Sequence, residues 1–106
     1  MAAYIISDVT IRDAAAIEIY RIRAAASIAK YGGRYLARGG NVEVLEGDWV
    51  PRTLIIVGFP DMERAQAWYR SPEYSLALDT RDEALSRNLI LVEGHRHQCL
   101  LRNNRA

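Results

Sequence analysis

The chain opens on "AAYIISDV", where β-branched and aromatic residues predict a strand over residues 3–9. The pattern then changes period. From Asp13, a residue suited to cap a helix, to about Tyr31, the apolar positions Ile17, Tyr20, Ala24, Ile28 and Tyr31 recur three and four apart. That spacing lays one stripe along a helix, for packing against a sheet. Gly32 and Gly33 end it, because glycine takes a left-handed cap without Cβ strain. "RYLA" then predicts a short strand and the alternating "NVEVLEG" a second extended piece, with a turn or bulge at "RGG" between them. "GDWVPR" is a loop, since Pro51 argues against a continuing central strand. "TLIIVGF" has four β-branched residues in seven and is apolar almost throughout, as in a strand covered on both faces.

Pro60 and Asp61 open a short helix with Ala65, Trp68 and Tyr69 on one side. Ser71 caps a second piece with Pro72 at its first position, and Tyr74, Ala77, Leu78, Arg81 and Leu85 continue a single stripe. "NLILVEG" is the last strand, and "HRHQCLLRNNRA" is a tail of unassigned structure. The resulting order, β-α-β-β-α-β, is the ferredoxin-like arrangement of the α+β class, an antiparallel sheet with helices on one face. One domain is expected over residues 1–94, followed by a C-terminal tail over 95–106. The uncovered face of such a sheet needs apolar cover, and a second copy of the chain is the simplest source, so a homodimer is expected.

Composition narrows the partners. With 14 basic and 13 acidic residues in 106, the net charge of +1 offers no long-range attraction for nucleic acid. The apolar run "LIIV" is far too short to cross a bilayer. The N-terminal stretch lacks a basic leader and is interrupted by Asp8, unlike a secretory signal. Cys99 is the single cysteine and forms no internal disulfide. A cytoplasmic protein without nucleic-acid or membrane partners is expected.

The chemistry-bearing residues crowd "AWYRSPEYSLALDTRDEAL". Arg81 sits on the apolar stripe of its helix, and three roles suit it: snorkelling to water, a structural ion pair, or a grip on an anionic ligand in a cavity. Trp68, Tyr69 and Tyr74 serve equally as sheet cover or as the wall of a pocket. Tyr20 from the first helix, and Tyr35 and Arg38 from "GGRYLARGG", are placed to approach the opening between helix and sheet. The candidate ligand-binding set is therefore Tyr20, Tyr35, Arg38, Trp68, Tyr69, Tyr74 and Arg81. No catalytic residue stands out. The G-x-S-x-G, G-x-G-x-x-G and G-x-x-x-x-G-K-[ST] patterns are absent. His95, His97 and Cys99 have an alternate spacing that could hold a metal on an extended segment, but as a tail motif it is weak. Neither histidine falls in the core, where a haem ligand would have to be. No metal and no cofactor are expected.

The stretches "GGRYLARGG", "VLEGDWVPR", "FPDMERAQAWYRSPEY" and "NLILVEG" together resemble the domain of unknown function 1330 family of the dimeric α/β-barrel superfamily, from about Ala3 to Gly94. The most specific feature is "FP" followed by "AWYRSPEY", after "EGDW". The resemblance implies a ferredoxin-like subunit whose sheets pair across a homodimer into a barrel. It also marks a departure: many members carry an acidic residue before "FP", where this chain has Gly58. If that carboxylate lines the family's pocket, its chemistry is altered here. The family has no established reaction. The function expected is a small-molecule pocket between sheet and helices, in a cofactor-independent enzyme acting on a small polar or carboxylate-bearing compound. The alternative is a non-catalytic dimeric binding or interaction module. An enzyme predicts a cavity of about 300 Å³ or more with Arg81 pointing into it; the module predicts Arg81 satisfied by an internal carboxylate.

Overall fold

The computed structural model describes residues 1–95. It runs β1 (Ala3–Ile11), α1 (Ala14–Lys30), β2 (Arg34–Arg38), β3 (Leu54–Phe59), α2 (Met62–Tyr69), α3 (Pro72–Leu78), α4 (Arg81–Ala84) and β4 (Leu85–Glu93). The strands form one antiparallel sheet in the order β2-β3-β1-β4, with the helices on one face. This is the ferredoxin-like topology.

Local chemistry sets the boundaries. Asp13 accepts hydrogen bonds from the Ala15 and Ala16 N–H groups at 2.9 and 2.8 Å, which starts α1. Asp61 caps α2 through Arg64 N–H at 2.8 Å, and Ser71 caps α3 through Tyr74 N–H at 3.0 Å, with Pro72 at the first helical position. Gly32 closes α1 at φ 82°. Gly33 allows a close approach: a Cβ there would lie 2.7 Å from a Phe59 ring carbon.

β1 alternates, sending Ala3, Ile5, Ser7 and Val9 toward the helices and Tyr4, Ile6 and Asp8 to the other face. Ile17, Tyr20, Ala24 and Ile28 form the buried stripe of α1, joined by Ser27. Ser27 is buried for a reason: its Oγ accepts the Trp68 Nε1–H at 2.9 Å and donates to the Ala24 carbonyl at 2.8 Å. Trp68 in turn packs on Tyr74, with ring centroids 4.2 Å apart, and on Phe59 at 5.5 Å.

Three local expectations are corrected. "NVEVLEG" forms no strand, because β2 pairs directly with β3 and no neighbouring ladder receives it; Val42, Val44 and Leu45 stay exposed in the connection. That connection is tied back where Asp8 accepts Trp49 Nε1–H and Arg52 N–H, both at 2.9 Å, and these bonds lower its carboxyl pKa. Secondly, the stripe from Tyr74 does not continue to Leu85. The helix stops at Leu78; Thr80 turns its Oγ1 onto the Ala77 carbonyl at 3.1 Å, and a separate short helix begins at Arg81. Lastly, β4 begins at Leu85, three residues before the expected start, so Arg87 belongs to the sheet. His97 and Cys99 of the tail lie outside the described residues.

Removing the Ser27 hydroxyl orphans a buried indole N–H. Ser27→Ala is expected to cost about 1–3 kcal/mol, measured by chemical denaturation. A second contact is pH-dependent. Glu73 receives Lys30 Nζ at 2.6 Å and the Tyr31 hydroxyl at 2.9 Å, tying the end of α1 to α3. These donors, Lys30 foremost, hold the Glu73 carboxyl down at about 2, below its ordinary 4.5. A depressed folded-state value stabilises the fold fully above the unfolded value and is lost as pH falls toward about 2. Glu73→Gln is therefore expected to melt lower at neutral pH and to show a shallower loss of Tm on acidification, by thermal melts across that range.

Candidate functional site

α1 packs more closely on α3 and α4 than on any strand. The space beneath it is a cavity of about 670 Å³. Its floor is apolar, with Ile5, Val9, Ile55 and Val57 from β1 and β3, and Trp68 closes one side. Polar groups gather at the edges. Tyr35 and Arg38 enter from β2, with the Arg38 guanidinium 4.3 Å above the Tyr35 ring. Glu18 and Arg21 line it from α1 and pair with each other at 3.0 Å. Burial raises the Tyr35 hydroxyl above its ordinary pKa, so it is neutral at physiological pH.

The centre of the site is Arg87 on β4. Its Nη1 donates to the Tyr20 hydroxyl oxygen and its Nη2 to that of Tyr74, both at 2.5 Å, and the two phenol oxygens lie 2.7 Å apart. Three elements, α1, α3 and β4, thus meet at one cation. No carboxylate approaches it within ion-pair distance among the described residues. Burial opposes the Arg87 charge, but the two phenols outweigh it and the guanidinium remains protonated. Tyr74 is fully buried, and burial first, then the neighbouring Tyr20, pushes its hydroxyl pKa up.

The candidates from the sequence separate into three positions. Tyr20, Tyr35, Arg38 and Trp68 line the cavity. Tyr74 stands behind them, joined through Tyr20 and Arg87. Tyr69 and Arg81 instead border a smaller depression of about 350 Å³, shared with Arg12 and Asp82. Arg87 lines both spaces. The Arg81 side chain is 37% exposed and pairs with Asp82 at 3.3 Å. It does not line the larger cavity, because the helix it was assigned to ends before it. Arg87 was missed for a related reason. A strand begun at Asn88 leaves it out, whereas the alternation Leu85, Arg87, Leu89, Leu91 places it on the helix-facing side. Gly58 lies on the opposite face, beneath Leu36, so an acidic residue at this position would not point into the cavity. Among the described residues no three His, Cys, Asp or Glu side chains gather to hold a metal, and no helix is long and apolar enough to cross a membrane.

The sheet with its one-sided helices defines a ferredoxin-like α+β protein with a cavity between its layers. The chain belongs to the family described as domain of unknown function DUF1330, which matches residues 2–95. Among solved structures, it is similar to a protein of unknown function from Rhodopseudomonas palustris, with 19% identity, 91% of this chain and 84% of that one covered, and a TM-score of 0.72. It is similar to SnoaB, a cofactor-independent oxygenase from Streptomyces nogalater, with 15% identity, 91% and 95% covered, and a TM-score of 0.64. A dimeric ferredoxin-like protein of unknown function from Bacteroides fragilis aligns at 18% identity over 88% and 96% of the chains, with a TM-score of 0.55. No curated protein gives a significant match.

Proposed function

We propose that the cavity under α1 binds a small compound with an apolar body and a carboxylate or other polar oxygen head. We further propose that the chain works as a homodimer and transforms that compound without a cofactor. The observation that carries the reading is Arg87, a part-buried cation on the cavity wall whose hydrogen-bond partners among the described residues are two tyrosine hydroxyls. A guanidinium withdrawn from water is usually matched by a carboxylate, and a bound anion would supply one. The apolar floor suits a ring or short chain, and Arg38 at the edge favours an approaching anion. In this reading Tyr20, Tyr35, Arg38 and Trp68 touch the compound and Tyr74 holds Arg87 in place. Tyr69 and Arg81 flank the neighbouring depression.

Cofactor-independent oxygenation has a precedent on this fold in SnoaB, which supports an enzyme by analogy of architecture. The donors that line the cavity suit the same reading, since guanidinium and phenol groups stabilise negative charge forming on an oxygen. A dimeric binding module is the second reading, favoured by the one carboxylate on the cavity wall, Glu18, being engaged by Arg21.

Trp68 on the cavity wall provides the test. Titration with benzoate and 4-hydroxybenzoate is expected to change tryptophan emission, and Arg87→Met, assayed below its own melting temperature, is expected to weaken binding roughly 10-fold or more, the scale of a hydrogen bond to a charged group. Equal affinity in Arg87→Met, or no binding of either acid to the wild-type chain, overturns the reading.

The homodimer rests on the sheet's other face, where Tyr4, Ile6, Leu36, Ile56, Ile90 and Val92 present apolar surface without helix cover. Ile90 is 59% exposed. Light scattering is expected to give twice the chain mass for wild type and a shift toward monomer for Ile90→Asp; a monomeric wild type sinks the dimer.

A further inference from the structure

The hydrogen bonds around Arg87 leave one proton unassigned, and its position identifies a donor to the ligand. Arg87 can only donate, so it uses one lone pair on each phenol oxygen. Between Tyr20 and Tyr74 one hydroxyl donates and the other accepts. The Tyr74 residue is 0% exposed and does not line the cavity. Among the described residues, Tyr20 is the acceptor within its reach, so the Tyr74 proton goes to Tyr20. The reverse orientation would leave the Tyr74 hydroxyl proton buried without a partner, which folded proteins avoid.

The Tyr20 oxygen then accepts twice, from Tyr74 O–H and from Arg87 N–H, and its own proton is unspent. Tyr20 lines the cavity, and no described residue accepts that proton. A hydroxyl that accepts two donors, one of them charged, is itself a stronger donor, because hydrogen bonds in a chain polarise one another. We propose that Tyr20 and Arg87 form an oxyanion-binding pair, with the Tyr20 hydroxyl donating to an anionic oxygen of the ligand. Burial keeps Tyr74 protonated, so the chain from Tyr74 through Tyr20 to the ligand persists at physiological pH. The inference rests on the cavity being a ligand site. It adds which hydroxyl faces the ligand and which oxygen chemistry it selects.

The test uses 4-nitrophenol, whose phenol and phenolate absorb at different wavelengths. On wild-type protein the bound probe's pKa is expected to fall by about 1 unit relative to the free probe, the scale of an adjacent cation with an added donor. Tyr20→Phe is expected to lose more than half of that shift. Tyr74→Phe, which removes the proton feeding Tyr20, is expected to give an intermediate value and carries the test if Tyr20→Phe fails to fold. A bound pKa equal to or above the free value overturns the proposal, as does a wild-type shift in both variants. Where 4-nitrophenol fails to bind at millimolar concentration and benzoate binds, equal benzoate affinity in Tyr20→Phe overturns the proposal; failure of both to bind also overturns the cavity reading.

Discussion

A cation held by two tyrosine hydroxyls is the constraint around which this fold is arranged. Arg87 leaves bulk water at the junction of α1, α3 and β4, and moving a guanidinium into such a place costs several kcal/mol unless its donors are met. Two phenol oxygens meet two of them. Both phenols must come from separate helices, so the position of α1 relative to α3 is set by the distance a guanidinium spans. The same arrangement keeps the charge uncancelled. A carboxylate in place of either tyrosine would pair with that charge instead.

The cavity follows from that junction. Trp68 and Tyr74 stack as a wedge beside α1, and Ser27 pins the wedge to the helix through the indole N–H. With α1 leaning on α3 and α4, small residues such as Ala24 and Ala25 face the sheet and do not fill the gap beneath them. A close-packed interior rarely leaves such a space, so its persistence is a property of the helix–helix contacts and not of loose packing. Aromatic bulk and empty volume are two results of one placement.

How far the sequence revealed this depends on the range of each signal. Caps and stripes are local, and Asp13, Ser71, Pro72 and the Ile17–Ile28 stripe announced their helices because a few neighbouring residues decide them. The ferredoxin-like order followed from counting those elements. Extrapolation failed where a pattern crossed a break: Arg81 fits the period of Tyr74 and Leu78 on paper, but two intervening residues end the helix before reaching it. "NVEVLEG" has strand alternation, yet alternation describes faces and says nothing about whether a neighbouring strand exists. Tyr20, Tyr74 and Arg87 are separated by 54 and 13 residues, and no local pattern brings them together. The one available clue was an arginine in register with leucines at every second position of the last strand.

Period two also decides how this sheet divides its tasks. Along β1, Ile5, Ser7 and Val9 face the cavity while Tyr4, Ile6 and Asp8 face away. Asp8 uses that outward position to hold the β2–β3 connection through Trp49 and Arg52, at the edge of the apolar face left without helices. Gly58 lies on that outward face too, so a side chain there would bear on the sheet's other surface and leave the cavity wall unchanged. Substitutions one residue apart on the same strand therefore act on different faces of the sheet. A one-residue slip in register would exchange them all at once, which is why both surfaces constrain the pairing of β1 with β3 and β4.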